Sequence, residues 1–359
     1  MVSTSIIAFI IVLGILIFAH ELGHFLVARL FGVGVEKFSL GFGPRLFGRT
    51  VGRTDYRISA IPFGGYVKMV GEEPDAEIDP EDIPYSFTHK HVFKRILIVA
   101  AGPFFNVLLA AVLFYGIFQF TGMFVLKPAI GNIQENSPAA QSGLKSGDLV
   151  TAIDGIAVES WEEMAALISK SGGRSLTVTF LRDEMARDLR LTPEQVVTKN
   201  LFGEDENRYV IGITASGESF TRSLNPIEAL GASISQTYRV AELTVVSIAK
   251  LIQGSLSAKT LGGPIMIAEI AGQQAREGAV NLLFFMGLIS INLAILNILP
   301  IPVLDGGHLL FFFIEAVRGR PVSLRVREIA QQAGLAVLLA LMIFVFYNDI
   351  TRIFFSNPV

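Results

Sequence analysis

The sequence predicts a mainly α-helical membrane protein with about four transmembrane helices, a membrane-associated β-sheet and one compact α+β domain. Three observations predict this fold class. Hydrophobic residues make up 51% of the 359 residues and charged residues only 17%, whereas soluble domains carry about 25% charge. Several apolar stretches are long enough to cross a bilayer. Between the second and the third lies a long segment of short apolar runs separated by glycine turns.

The predicted spans lie in an N-terminal membrane part, residues 1–126, and a C-terminal membrane part, residues 281–359. Their bounds are 6–31, 96–126, 282–299 and 333–355. Asn297 interrupts the third span, which then runs into Pro300 and Pro302, where a helix should break and free its carbonyls. Irregular backbone at membrane depth is tolerated only where protein buries it or where it lines a wet cavity.

The distribution of basic residues predicts the orientation of the spans. Those near the span ends lie between the first and second spans or between the third and fourth: Arg29, Lys37, Lys90, Lys94, Arg95, Arg318, Arg320, Arg325 and Arg327. The positive-inside rule makes that side cytoplasmic, so both termini and residues 127–278 are predicted to lie outside. The N-terminal stretch lacks the basic region of a secretory signal and is expected to be retained. The formal net charge of -3 gives no reason to expect a nucleic acid partner.

Two histidines and a carboxylate lie inside the first apolar stretch, in the order His20, Glu21 and His24. Positions i and i+4 share one face of a helix, so both imidazoles can bind one metal ion while the carboxylate lies close by. This spacing is typical of zinc hydrolases. The alternative is a pair of ordinary buried histidines, but a carboxylate near the bilayer centre costs about 2.5 to 3.5 kcal/mol. The chain has no cysteine, so zinc ligands must be nitrogen or oxygen.

A third protein ligand is expected if water takes the fourth position of a tetrahedral zinc. The favoured candidate is Asp305, which follows the prolines that break the third span and precedes Gly306 and Gly307. The glycines permit close approach of backbones, so the carboxylate can face the first span. The alternatives are the other histidines: His89, His91 and His308.

Residues 127–215 are predicted to form a compact domain, with a strand near 129–133, a helix at 161–169 and a strand at 176–181. Its Ser-Pro-Ala, Gly-Leu-Lys-Ser-Gly-Asp and Asp-Gly elements resemble those of PDZ domains of the bacterial protease-associated type. The resemblance implies that a chain terminus or strand could add to the backbone of four residues: Ile130, Gly131, Asn132 and Ile133. The alternative is a spacer or size filter without peptide affinity.

Residues 216–280 are predicted to form amphipathic interfacial helices. Apolar residues recur among polar ones from 226 to 253, which suits a helix lying on the outer membrane surface. The Leu-Gly-Gly-Pro-Ile run at 261–265 breaks it, and a second surface helix is expected to follow. An interfacial anchor is the favoured role, and a substrate gate is the alternative.

The His-Glu-Leu-Gly-His run, the PDZ-like insertion and the Asn297 to Gly307 segment together resemble the site-2 proteases, in particular the bacterial RseP type. These are intramembrane zinc metalloproteases. The resemblance implies Zn2+ as cofactor, His20, His24 and Asp305 as its ligands, and Glu21 as the catalytic base. It also implies that Asn297 contacts substrate. The chain has room for one PDZ domain where the best-known RseP proteins carry two in tandem, which puts tandem-PDZ models of substrate exclusion in doubt.

The same resemblance implies a multi-pass protein of the bacterial inner membrane, with the active site toward the cytoplasmic side. Its substrates would be single-span membrane proteins in the lipid bilayer, cut within their transmembrane segments after an upstream site-1 type protease has acted. Anti-sigma factors and remnant signal peptides are the expected kinds. A transporter and a catalytically inactive PDZ scaffold are the two alternative classes. The chain shows no paired hydrophobic halves typical of transporters, and the complete set of catalytic residues disfavours a scaffold.

Residues 36–70 read as short strands at 37–40, 56–61 and 66–70, separated by glycine and proline turns. We expect a sheet at the cytoplasmic membrane interface whose edge receives an unwinding substrate, with Gly64 and Gly65 as substrate contacts. The resemblance points to such a sheet too. The alternative role is to seal the cytoplasmic mouth of the helix bundle.

Overall fold

The computed structural model describes residues 2–73 and 78–355. The α-helices in this part of the chain are α1 (Val2–Leu30), α2 (Val92–Thr121), α3 (Pro138–Ser142), α4 (Trp161–Ser169), α5 (Pro226–Ile252), α6 (Pro264–Glu277), α7 (Ala279–Ile298), α8 (Asp305–Arg318) and α9 (Leu324–Phe355). The strands are β1 (Val35–Val51), β2 (Thr54–Met69), β3 (Met123–Leu126), β4 (Ile130–Ile133), β5 (Leu149–Ile153), β6 (Ile156–Ala157), β7 (Leu176–Arg182), β8 (Met185–Leu191), β9 (Glu194–Lys199), β10 (Asp205–Val210), β11 (Ile213–Ala215) and β12 (Ser219–Arg222). They divide into a first unit, Met1–Ile117 with Leu230–Val359, and a second unit, Phe118–Ala229.

Within the described residues, the helices long and apolar enough to cross a membrane are Ser3–Leu30, Val92–Thr121, Ala279–Ile298 and Leu324–Phe354. The two largest differences from the expected bounds are at the end of the second helix and the start of the fourth. The second helix ends before residue 126, because Gly122 adopts a φ of 75° and the next residues form β3. The fourth helix begins before residue 333, because charged residues such as Arg325 and Glu328 continue the same helix.

Helix α1 buries a narrow stripe against α6 and α7. Ala8 packs with Phe285, and Val12 and Leu16 pack with Met286. These α1 residues recur every four positions, which is the spacing of one helical face. The other apolar side chains of α1 are largely exposed, as expected for a helix that faces lipid.

Small residues let α1 and α2 approach closely. A Cβ added to Gly23 of α1 would meet the backbone of Ala101, and one added to Gly102 of α2 would meet the rings of His20 and His24. Close approach of this kind is typical of helix pairs in membranes. The zinc-type motif therefore packs directly on α2.

Strand β1 pairs with β2 twice, since Phe38 lies opposite both Val67 and Tyr56. The expected strands at 56–61 and 66–70 are one element, β2, because Pro62 and Gly64 bend the strand without ending it. Gly64 has a φ of 137°, a conformation that glycine adopts at little cost.

The end of β2 lies against α1. A Cβ added to Gly65 would meet Ile17 Cγ2 at 2.7 Å and Glu21 Cγ at 3.1 Å. The absence of a side chain at Gly65 therefore allows the strand to reach the polar residues of α1.

The third span ends at Ile298, as the proline pair predicts, and a separate helix, α8, begins at Asp305. Cβ atoms added to Gly306 and Gly307 would collide with backbone of Ile298 and Ile301. The two glycines therefore allow α8 to start tightly against the end of α7. His308 lies on this following helix, one turn after Asp305.

The second unit has a four-stranded antiparallel sheet in the order β6-β5-β7-β8. Its core is formed by buried aliphatic and aromatic side chains: Ile130, Leu144, Val150, Ile153, Met164, Ile168, Leu176, Val178, Phe180, Leu191 and Ile211. Helix α4 coincides with the expected 161–169 helix, because Ser160 and Glu163 form a reciprocal capping box at its start.

The break between α5 and α6 is held by a buried carboxylate from the last span. Asp349 is fully buried and accepts hydrogen bonds from the amides of Gly263, Ile265 and Met266 at the start of α6. A carboxylate at a helix N-terminus satisfies amides that have no partner within the helix. Thr244 of α5 donates to Asn292 of α7 at 2.7 Å, so both predicted surface helices are tied to spans.

Candidate metal centre

The two histidines of α1 point their Nε2 atoms at each other. His20 Nε2 and His24 Nε2 are 3.2 Å apart, and the rings meet edge to face with centroids 4.8 Å apart. They lie one turn apart on one face, as the i and i+4 spacing requires. His24 is buried and His20 half-buried.

Asp305, the first residue of α8, completes the cluster. Its Oδ2 lies 3.0 Å from His20 Nε2, and its Oδ1 lies 3.6 Å from His24 Nε2. Within the described residues, one donor atom from each of His20, His24 and Asp305 lies within 4.8 Å of the others. The structure thus brings the three predicted ligands together.

The cluster has the donors that zinc requires. Two imidazoles and a carboxylate are a common three-ligand set for catalytic zinc, which keeps its fourth position open. His24 Nδ1 lies 2.9 Å from the carbonyl oxygen of Ile98, so the Nδ1 proton donates there and the lone pair is left on Nε2. Asp305 Oδ2 is buried, and its contact with His20 lacks hydrogen-bond geometry, so the oxygen is free for a cation.

A cavity of about 600 Å³ contains the cluster. Glu21 lines the cavity beside the three ligands, and so do Gly65, Tyr66 and Val67 of β2. The amide of Val67 faces the Glu21 carboxylate. A cavity of this size can hold several residues of an extended peptide.

Other predicted site residues lie elsewhere. Asn297, in the last turn of α7, does not line the cavity, and neither does Gly64. His308 lines it but is not part of the metal cluster. His89 instead contacts Ser86, at 2.9 Å from Nδ1 to Oγ, and the ring of His91 stacks on Phe93. Of the alternative third ligands, none lies with the two histidines of α1.

Two of the four β4 amides proposed to receive a peptide already make hydrogen bonds within the second unit. The Ile130 amide donates to the carbonyl of Asp148 at 2.9 Å, and the Asn132 amide donates to Thr214 Oγ1 at 3.0 Å. Ile130 and Ile133 also pair with β11. An added strand at β4 would have to displace these bonds, because the domain's own strands already use this edge.

Residues of α2 contribute to the centre and were missed from the sequence. Gly102 leaves the space that the two rings fill, and Asn106 places its side chain 3.3 Å from His20 Nδ1. A glycine and an asparagine four residues apart in an apolar span are the signal that could have found them.

Comparison with known proteins decides the class. The chain matches Peptidase family M50 over residues 8–341. It belongs to that family. This M50 peptidase is 40% identical over 354 residues to a protein of Campylobacter jejuni named "putative zinc metalloprotease". The alignment covers 98% of this chain and 94% of the relative. It is 37% identical over 361 residues to a protein of Agrobacterium fabrum with the same descriptive name, and that alignment covers 97% of this chain and 96% of the relative.

Two solved structures match short parts of this M50 peptidase. The PDZ domain of an SdrC-like protein from Listeria monocytogenes is 24% identical and covers 24% of this chain and 84% of its own, with a TM-score of 0.20. A protein from Geobacillus thermodenitrificans is 26% identical and covers 20% and 82%, with a TM-score of 0.18. Scores this low add nothing to the fold described above.

The family and the relatives make the protein a zinc metalloprotease of the site-2 type, with Zn2+ as its cofactor. The expected alternatives, a transporter or an inactive scaffold, are not favoured. The His20, His24 and Asp305 cluster is the place in the described chain where donors suited to zinc converge.

Proposed function

We propose that this M50 peptidase hydrolyses peptide bonds within the transmembrane segments of membrane proteins. One observation carries the proposal: a zinc-type cluster and a carboxylate share a cavity built on a helix that is long and apolar enough to span a bilayer. A site placed there meets substrate helices rather than soluble peptides.

His20, His24 and Asp305 are the proposed ligands. Zinc held by them supplies a Lewis acid that activates water and polarises the scissile carbonyl. The remaining steps belong to the chain itself. Glu21 accepts the proton of the attacking water and then delivers a proton to the leaving amine.

The end of β2 is the proposed substrate platform. Met69 donates its amide to Glu72 at 3.1 Å, and the Val67 amide faces Glu21, so alternate amides of this strand point away from β1. A substrate segment that has unwound can add to this edge through main-chain hydrogen bonds when its carbonyls replace the carboxylates of Glu21 and Glu72 at these amides. Of the two predicted glycine contacts, Gly65 lines the cavity, whereas Gly64 lies at the bend of the strand just before it.

Asn297 is proposed as a substrate contact outside the cavity. Its position in the last turn of α7, ahead of the proline break, lies where a substrate would pass along the third span. An amide there can hydrogen-bond to a backbone that has lost its helical bonds.

The proposed setting is the bacterial inner membrane, with both termini and the second unit outside and the metal centre toward the cytoplasm. The second unit is proposed to be a PDZ domain that limits substrate size, since the β4 amides of Ile130 and Asn132 are already used. Substrates are then single-span proteins already shortened by a site-1 type protease, such as anti-sigma factors or remnant signal peptides.

Cleavage of a single-span substrate by the purified protein in detergent tests the function. Replacing Glu21 with Gln should lower the cleavage rate by about 10²- to 10⁴-fold, the contribution of general acid-base catalysis, while zinc remains bound. The matched control is Glu328→Gln, the same change in another residue that lines the cavity. Its rate should equal that of the wild type. Undiminished cleavage by the Glu21→Gln protein would overturn the mechanism.

A further inference from the structure

Asn106 of α2 is a fully buried polar side chain that the catalytic steps above do not use. Its Nδ2 lies 3.3 Å from His20 Nδ1. Its Oδ1 is buried and has no hydrogen-bond partner in the described part of the chain. Unsatisfied buried amide oxygens are rare in native proteins, so this one requires a physical reason.

The proton of His20 gives that reason. A histidine that binds a metal through Nε2 carries its proton on Nδ1 and needs an acceptor there. His20 Nε2 is the nitrogen that faces Asp305 and His24, so Nδ1 must be the donor. With the Asn106 Nδ2 in front of it, two donors would meet.

Rotating the Asn106 amide by 180° removes this conflict. Oxygen and nitrogen of an amide side chain exchange places in such a rotation, and their assignment follows from the hydrogen bonds they can make. The place that Oδ1 now occupies offers it no hydrogen-bond donor among the described residues. The contact with His20 therefore decides the orientation, and it favours Oδ1 toward His20 Nδ1.

The same face of α2 serves His24. The carbonyl of Ile98 accepts from His24 Nδ1 at 2.9 Å, and Gly102 leaves room for both rings. Ile98, Gly102 and Asn106 are spaced four residues apart, which places them along one side of a helix. Each histidine thus has its own acceptor on this row, a carbonyl for His24 and an amide oxygen for His20.

We propose that Asn106 is a positioning residue for the zinc centre. Its Oδ1 accepts the Nδ1 proton of His20, which fixes the tautomer and the ring orientation so that Nε2 is presented to the metal. The proposal rests on the proposed function, since it requires zinc at the cluster of His20, His24 and Asp305.

The test is the zinc affinity of the full chain in detergent, measured by competition with a chromogenic chelator. Asn106→Leu should bind zinc about 10- to 100-fold more weakly, the usual effect of removing such an acceptor. Asn106→Asp should stay near the wild-type affinity, because a carboxylate accepts at the same place. Ser290→Ala is the matched control. The Ser290 hydroxyl donates to the backbone carbonyl oxygen of Asn106 at 2.7 Å, so it contacts the same residue but not its side-chain amide. It should bind zinc as the wild type does.

Three outcomes overturn the proposal. They are wild-type zinc affinity in Asn106→Leu, equal weakening in Asn106→Leu and Asn106→Asp, and equal weakening in Ser290→Ala. Thermal unfolding of the zinc-free proteins shows whether the Leu variant folds, and Asn106→Ala takes its place with the same expected loss if it does not. Absence of zinc binding by the wild type would instead overturn the proposed function.

Discussion

At the scale of single residues, the candidate metal centre depends on a glycine, which has no side chain, as well as on the side chains that form the cluster. Gly102 occupies the point of α2 nearest the two histidines, and an added Cβ would lie 2.8 Å from His20 Cε1 and closer still to His24 Nε2. Real Cβ atoms do not approach ring atoms so closely, and the buried rings have little room to move.

Gly102→Ala should therefore weaken zinc binding by about 10-fold or more, because the added methyl group displaces the two imidazole rings from the positions in which they bind the metal. The control is Gly116→Ala in the same helix, where an added Cβ meets nothing within 4 Å. Zinc content after dialysis, measured by plasma mass spectrometry, compares the two. Equal zinc content in both variants would show that Gly102 is not needed for space.

In the second unit, Asp148 provides a test through pH. Burial opposes its ionisation, but hydrogen bonds from Arg182 and from the Lys145 amide outweigh burial and hold the pKa of Asp148 below its ordinary value. A carboxyl whose pKa is lower in the folded than in the unfolded state stabilises the fold above the unfolded value of about 3.9. That stability is lost as the pH falls through the folded pKa.

Asp148→Asn should therefore lower the thermal midpoint of the second unit at neutral pH, and the gap from the wild type should narrow below about pH 4. The control is Asp188→Asn, an exposed residue of β8. Its midpoint should follow the wild type at every pH. A gap for Asp148→Asn that stays constant down to pH 2 would contradict the assignment.

At the scale of elements, β2 links the sheet to the metal centre. Tyr66 pairs with Ser39 of β1 and lines the cavity, whereas Arg49 lies in the distal part of β1, paired with Tyr56. Among the described residues of the sheet, those that line the cavity lie near Gly65, from Gly65 to Met69.

Tyr66→Pro should therefore impair cleavage strongly while leaving the zinc affinity near that of the wild type. The proline deforms the strand proposed to bind substrate, but it does not change a metal ligand. A proline at Arg49 disturbs the same sheet away from the cavity and should have a smaller effect on cleavage. Cleavage rates and zinc affinities of both variants are compared. Equal loss of cleavage and zinc affinity at Tyr66 would contradict the platform.

The sequence predicted best where the signal was local. The spacing of His20 and His24 and the proline break before Asp305 are local patterns, and the structure brings those residues together. Helix α4 matches the predicted 161–169 helix, and the structure shows a capping box of nearby residues, Ser160 and Glu163, at its start. The bend in β2 was interpreted as a turn, since Pro62 and Gly64 suit both.

Tertiary proximity was harder to predict. The local sequence does not indicate which helix packs against the face of α2 that carries Gly102 and Asn106. The roles of these two residues were therefore missed. Asn297, predicted as a substrate contact, lies in the last turn of α7 and does not line the cavity. The β4 amides of Ile130 and Asn132 donate to Asp148 and Thr214, which are distant in the sequence, so their partners could not be predicted from local patterns.

At the scale of the whole molecule, family membership and the four candidate spanning helices found in the described residues make this chain a membrane metalloprotease. The central claim is that its cluster cuts within membrane segments. Each residue of a helix advances 1.5 Å along its axis, so the position of the zinc ligands in a spanning helix sets their depth in the bilayer. A zinc ion bound there can reach a substrate backbone only at the same depth.

The most direct measurement is the cleavage position in a single-span substrate, with enzyme and substrate in the same lipid vesicles and products identified by mass spectrometry. The account predicts cuts inside the apolar segment, abolished by a zinc chelator and by Glu21→Gln. Cuts confined to the soluble flanks, or cuts that continue without zinc, would contradict it.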